Sequence, residues 1–327
     1  MRAQRVESLE HAGGWRVRSE TTAIVPRERI EAVEASTGAP TTPEMLFDSS
    51  LTLTHVESGV VLSFNAEDAL REWVEAKGEV IKVAAAETWT RAHVERFGDV
   101  SEADAPAAAA QRADDADDAN GGADAGGDAS ARAKTHSSTT WNSTETSTSY
   151  DWTFTTPYGG SVSSAPSRDA PPPTWEPTSL RIDRAMLTER DPIRLYDELT
   201  LYESELDDNG VAHLGLKVRV MPKCWFVLLR FWLRVDGVRM RLRETRFFCD
   251  LTRGGATDDA TPVVVVRETQ TRDETWDELR ARGAPCAPSQ YPNSDDAASA
   301  LLAAGGPVRI DVHVLRIPKP RVRDPCP

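Results

Sequence analysis

Hydrophobic and polar residues alternate, or β-branched residues run together, in four stretches of the second half of the chain: "DELTLYESEL", "GVAHLGLKVRVM", "TPVVVVRETQ" and the long segment Met221 to Phe248, "MPKCWFVLLRFWLRVDGVRMRLRETRFF". A period of two sends successive side chains to opposite faces, so each stretch is predicted as a strand. Within the last, Asp236-Gly237 predicts a two-residue type I′ turn, because both residues tolerate positive φ. Pairing Val235 with Val238 sets Leu233 against Met240 and Phe231 against Leu242, giving an apolar face that must cover a core. The opposite face then sets Arg234 against Arg239, Trp232 against Arg241 and Arg230 against Arg243. Like charges directly opposite repel, so this arginine comb requires acids to answer it.

Other elements follow from caps and periodicity. Pro26 suits a first helical turn and Gly38 a C-terminal cap, which predicts a helix over Pro26 to Thr37. Strands "LTLTHV" and "VVLSFN" flank a turn around Gly59. Asn65 as N-cap, Asp68 at the third helical position and the stripe Ala69, Leu70, Trp73 predict a helix ending at Gly78. "IKVAAAETWTRAH" reads as a strand entering a helix, and "YDWTFTT" as a short strand. Thr271 with Glu274 fits a capping box for a helix closed by Gly283, and "DDAASALLAAGG" and "VRIDVHVLRI" give a last helix and strand. Two stretches lack core formers. Residues 101–149 are rich in Ala, Asp, Gly, Ser and Thr, a composition that predicts disorder. Residues 157–179 carry a proline cluster that predicts an extended loop.

The chain has 327 residues, 39% of them hydrophobic, and a net charge of -14. That balance argues against nucleic acid as a partner, since its binders are basic overall or carry a large basic patch. No signal-peptide h-region and no run long enough for a membrane span are present, so the expected location is the cytosol or nucleus, without membrane attachment. Cys224, Cys249, Cys286 and Cys326 are too dispersed for a zinc site and read as free thiols. None of the motifs that cradle phosphate, bind dinucleotide, form a nucleophile elbow or hold zinc occurs, so neither cofactor nor metal is expected. His55 reads as a satisfied strand histidine, Asp311 and His313 as a surface pair, and Glu203 with Glu205 as a solvated strand face.

Seven blocks, in order, carry a resemblance: "PEMLF", "FNAEDAL", "KVAAAETW", "YDWTFTT", "LYESELDDNGVAHLGLKVRVMP", "FVLLRFWLRVDGV" and "RETR", spanning roughly Pro43 to Phe248. Together they resemble the TIP-forty-one-like (TIPRL) family of TOR-signalling regulators. The resemblance implies an α+β fold, a single domain built on antiparallel β-sheet with flanking helices and long disordered insertions. Residues 1–100 and 150–320 would form that domain around the insertion at 101–149. It further implies a protein without catalysis that binds the catalytic subunits of type 2A, 4 and 6 serine/threonine phosphatases and restrains or chaperones them, alongside the alpha-four (Tap) regulator. A cleft would receive the phosphatase C-terminal tail. Two other functions compete: a scaffold that binds through the acidic insertion, and an enzyme with an unrecognised site.

Candidate partner-binding residues combine both arguments. Arg234, Arg239, Arg241 and Arg243 can grip a carboxylate in the planar guanidinium fork, although Glu203, Glu205, Asp207 and Asp208 are the ordinary internal answer, above all for Arg230 and Arg234. Leu242 and Glu244, opposite the comb, are expected at the rim of the site beside Arg246, and Glu244 needs an arginine wherever it is buried. Asp68 stabilises its own helix through the dipole, and the family block adds the expectation that it faces the phosphatase. Trp152, Ile182 and Arg219 complete the set. Trp152 is a core-type aromatic that can also anchor an interface, Ile182 a core position, and Arg219 a solvated strand position.

Overall fold

A computed structural model of the chain describes residues 5–76, 153–164, 173–188, 192–206, 209–252, 262–285 and 287–317. "IKVAAAETWTRAH", the insertion at 101–149 and Trp152 lie outside these residues, as do Asp207, Asp208, Cys286 and Cys326. The described chain is α+β, as expected, with two antiparallel sheets packed face to face. The smaller sheet runs β1 (Arg5–Ala12), β2 (Trp15–Thr21), β4 (Ser50–His55), β5 (Val60–Asn65), β6 (Ser161–Ser164). The larger runs β3 (Met45–Leu46), β8 (Leu195–Ser204), β9 (Gly210–Val220), β10 (Cys224–Val235), β11 (Arg239–Asp250), β12 (Val263–Thr275), β13 (Arg309–Ile317), β7 (Glu176–Pro177). Among the described residues five α-helices accompany them: α1 (Arg27–Thr37), α2 (Ala66–Ala76), α3 (Arg184–Thr188), α4 (Trp276–Ala281) and α5 (Ser294–Ala304).

Alternation explains the sandwich. Trp225, Val227, Leu229, Phe231, Leu233 and Val235 of β10 all point to the inner face, where they join the buried side chains of the small sheet. Trp15 meets Trp225 edge-on with ring centroids 5.2 Å apart, and Phe64 meets Phe247 at 5.0 Å. Beside them, the buried Asp197 of β8 accepts hydrogen bonds from Arg5 of β1 and Ser19 of β2, a polar tie between the sheets.

Several expected elements are present. Gly38 ends α1 at φ 71°, its N–H donating to Glu34 O, and Asn65 caps α2. His55 is buried against Trp15 with its Nδ1 2.8 Å from Ser58 Oγ. The hairpin of β1 and β2 has no counterpart among the expected elements. Gly13-Gly14, both at positive φ, turn it, so its signal is a Gly-Gly pair between alternating residues.

Three expectations are corrected. The loop at 157–179 contains β6 and β7. Tyr158 is buried and donates its hydroxyl to Ser63 O at 3.1 Å, while Pro177 sits in an edge strand, where its missing N–H is tolerated. The capping box lies one turn beyond Thr271 and Glu274: pairing with β11 keeps β12 extended as far as Thr275, which caps α4 with Glu278.

The third correction is the register of the hairpin. Val235 pairs with Arg239, not Val238, leaving a three-residue loop, Asp236 to Val238, with Gly237 at φ 72°. The loop is held from outside the hairpin, since Asp236 N–H donates to Asn209 O and Trp276 N–H to Val238 O. One residue of shift moves every side chain of β11 to the other face. Met240, Leu242, Glu244 and Arg246 therefore share the outer face with Arg230, Trp232 and Arg234, while Arg239, Arg241 and Arg243 turn inward. The comb is split between the two faces of the sheet.

Trp225→Ala should cost about 3 to 5 kcal/mol, the range for truncating a core tryptophan, because it removes the aromatic contact that joins the sheets. A urea melt of the variant checks this.

Candidate functional site: the outer face of the large sheet

The outer face carries two apolar covers with a polar band between them. At the hairpin end, α4, α5 and the connection between them cover Trp232, Met240 and Leu242 with Trp276, Leu279, Tyr291, Ala297 and Leu301. At the other end, Ile182 and the partly buried Met186 and Leu187 cover Met221, Cys224, Phe248, Val266 and Val312. The register places Phe226, Leu228 and Arg230 of β10, Lys217 and Arg219 of β9, and Glu244 and Arg246 of β11 on the band. Phe226 and Leu228 are half-buried, and Tyr196 and Ile310 at its margins stand 53% and 55% exposed. Gly215, which pairs with Arg230, has no side chain, and the His213 imidazole lies over it. A small cleft of about 40 Å³ opens at the foot of α5, lined by Glu198, Thr200, His213, Gly215, Lys217, Leu228, Arg230 and Ser294.

Charges on the band are answered by the chain itself. Glu244, buried, accepts from Arg230 at 2.7 Å on one side and from Arg246 on the other, which supplies the arginine it was expected to need. Arg246 also donates to Gln270 Oε1 at 2.9 Å. Arg219 donates to Leu187 O at 2.9 Å, and Ile182 is buried with its N–H on Glu268 Oε1. Arg234 donates to Pro288 O and Tyr291 O, with its Nε 2.7 Å from Asp236. Leu242 is buried under the α5 cover, not at a rim. The expected pairing of the arginines with Glu203 and Glu205 is replaced by Glu244, Asp295 and Asp236 on this face. On the inner face Arg239 and Arg241 share Asp273 at 3.2 and 2.6 Å, and Arg243 donates to Thr156 O.

Asp68 stands apart from the band. Its carboxylate accepts from Asn65, Ser161 and Arg71 at 2.9, 2.7 and 2.8 Å, tying α2 to β6. Burial alone would raise its pKa, but those three hydrogen bonds more than offset this and hold it below the usual aspartate value. It borders a cleft of about 300 Å³ that Arg29, Asp48 and Glu67 also line. The structure thus brings Ile182, Arg219, Arg234, Leu242, Glu244 and Arg246 to one face, with Arg219 and Arg246 on its open band. Sequence reasoning missed Lys217, Phe226 and Leu228, although alternation through Arg230 would have placed the last two beside it. Among the described residues no group of three potential metal ligands occurs, and no helix is long and apolar enough to cross a membrane.

Two outcomes follow. Glu244→Ala leaves Arg230 and Arg246 without their shared carboxylate in a half-dry setting, so folding stability should fall by about 3 to 5 kcal/mol in a denaturant melt. His213 is pushed down from 6.5 to about 4 by burial and by Arg230, with Glu198, Asp295 and Lys217 also facing it. The unfolded chain therefore binds more protons at this site between those values. Stability should decline as pH falls below 6.5, with the full loss reached below 4, and His213→Gln should flatten that limb of a melt-versus-pH profile.

Comparison with known proteins gives this geometry its family. The model of the TIP41-like family matches residues 45–280. A TIP41-like protein of Arabidopsis thaliana is 34% identical over 282 residues, covering 83% of this chain and 79% of its own. The human TIP41-like protein is 30% identical over 236 residues, 72% and 69% of the two chains. The Saccharomyces cerevisiae relative, named type 2A phosphatase activator TIP41, is 33% identical over 133 residues, 41% of this chain and 33% of its own. With a match across most of its length and two relatives at this level of identity, the chain belongs to the TIP41-like family.

Proposed function

We propose that this protein is a non-catalytic regulator that binds the catalytic subunits of type 2A-like serine/threonine phosphatases, and that the outer band is its receiving surface. Family membership supports the general reading, and the name of the Saccharomyces cerevisiae relative, type 2A phosphatase activator TIP41, supports the partner. The observation that carries the choice of surface is the band itself: half-buried Phe226 and Leu228 lie between guanidinium and ammonium groups, flanked by two apolar covers. Such a strip suits an extended segment that combines apolar side chains with a carboxylate, because arginine pairs with carboxylates in a fixed fork while the floor buries the apolar part. A phosphatase C-terminal tail has this chemistry, as the family resemblance implies. Type 2A, 4 and 6 subunits are the partners we assign, with alpha-four as a companion in the same TOR-linked complexes.

Calorimetry of the purified chain with a type 2A catalytic subunit tests the reading. Arg219→Glu should weaken binding by roughly 2 to 5 kcal/mol, the range for disrupting a buried charge at an interface, with a smaller loss in a denaturant melt, while Arg246→Gln should weaken both binding and folding because Arg246 also pairs with Glu244. Equal affinity of both variants with wild type would remove the band from the interface. Deleting residues 101–149 separates the scaffold alternative: phosphatase binding should survive the deletion. A turnover assay of the phosphatase with the chain added distinguishes restraint from the activation in the name of the yeast relative.

A further inference from the structure

Resting on that reading, we propose that Asp295, in the first turn of α5, occupies the carboxylate-binding end of the band and competes there with the partner's own carboxylate. Asp295 lies 2.9 Å from Lys217 Nζ and also pairs with Arg230, reaching across 78 and 65 residues of sequence. Both cations belong to the strands that floor the band, and both are largely covered: their side chains are 30% and 12% exposed, against 58% for Asp295. The contact therefore places an accessible carboxylate on two sheltered cations, the arrangement an incoming carboxylate would have to reproduce.

Charge balance points the same way. On the band, Lys217, Arg219, Arg230 and Arg246 face Glu198, Glu244 and Glu268, and Arg272 stands at its edge opposite Leu242, so cations outnumber acids. Asp295 adds a negative charge from outside the sheet. Hydrogen bonding to Lys217, then to Arg230, holds Asp295 below the usual aspartate pKa, so it stays ionised at neutral pH. Burial would lower the Lys217 pKa, but hydrogen bonds to Asp295 and Glu198 raise it overall, so the pair is charged on both sides. α5 lies past the end of the family match at residue 280, between α4 and β13. The neighbouring Asp296 makes no such contact. It accepts from Asn293 Nδ2 at 2.8 Å, within the cap of its own helix.

The alternative role for Asp295 is a tether that merely holds α5 on the sheet. The two roles predict different signs. As a competitor, Asp295→Asn leaves Lys217 with Glu198 and Arg230 with Glu244 but opens one contact on each to an incoming carboxylate, and should tighten binding of the type 2A catalytic subunit roughly 3- to 5-fold, the worth of a partly exposed ion pair, whereas Lys217→Gln should weaken it. As a tether, both variants break the same contact and shift affinity in the same direction. Asp296→Asn changes charge on the same turn without touching the band, and should leave affinity unchanged. Calorimetry on the full chain and the three variants reads all of this, with a thermal melt of each to confirm folding. Tightening confined to Asp295→Asn supports the proposal. Unchanged or weaker binding by that variant, with wild type binding, overturns the proposal and leaves the phosphatase reading standing. No binding by wild type or any variant overturns the reading on which it rests.

Discussion

The three-residue loop at Asp236 to Val238 decides what each face of the large sheet is for. Because side chains alternate strictly, the loop length fixes whether β11 lends its arginines or its Met240, Leu242 and Glu244 to the outer face. With Val235 on Arg239, Leu242 falls beside Trp232 and supports the α5 cover, and Glu244 falls between Arg230 and Arg246. A two-residue loop would place Arg241 and Arg243 there and bury Glu244 on the inner side. The outer band, its two covers and the inner sharing of Asp273 all follow from one residue in a turn.

That choice is not made inside the hairpin. Asp-Gly is compatible with a two-residue turn and equally with a longer loop in which Gly237 takes the left-handed conformation, so local rules leave the register open. What closes it are backbone bonds from Asn209 and Trp276, residues that sequence places far from the turn. The same limit explains the capping box. Thr271 with Glu274 and Thr275 with Glu278 both satisfy the motif, and only the length of β11 shows which threonine is still extended. Elements whose signals are self-contained were readable: Gly38 after α1, Asn65 and Asp68 at the start of α2, and alternation through β9 and β12.

The candidate site divides along the same line. Arg219 is readable as a solvated strand position, and the need of Glu244 for an arginine follows from burial alone. Yet the commitment of Arg234 to the carbonyls of Pro288 and Tyr291, and the tie of Asp68 to Ser161, are tertiary facts. Each converts a residue that resembles a binding group into one that holds the fold. The contribution of Asp295 is hidden for the opposite reason, since nothing about a first-turn aspartate indicates a lysine 78 residues away.

A net charge of -14 sets the conditions under which a basic band can work at all. At long range the chain repels an acidic partner, so electrostatic steering cannot bring one to the band. Residues 101–149 account for much of that repulsion, with nine acidic residues against three basic ones, or six of the fourteen net charges. At physiological ionic strength, however, screening acts over about 8 Å, so the repulsion fades before contact while half-buried pairs at the band are screened far less. Recognition is then short-ranged and geometric, resting on sheltered cations with an apolar floor between them. In that regime a carboxylate counts by its distance from the sheltered cations, and Asp295, 2.9 Å from Lys217, stands within it.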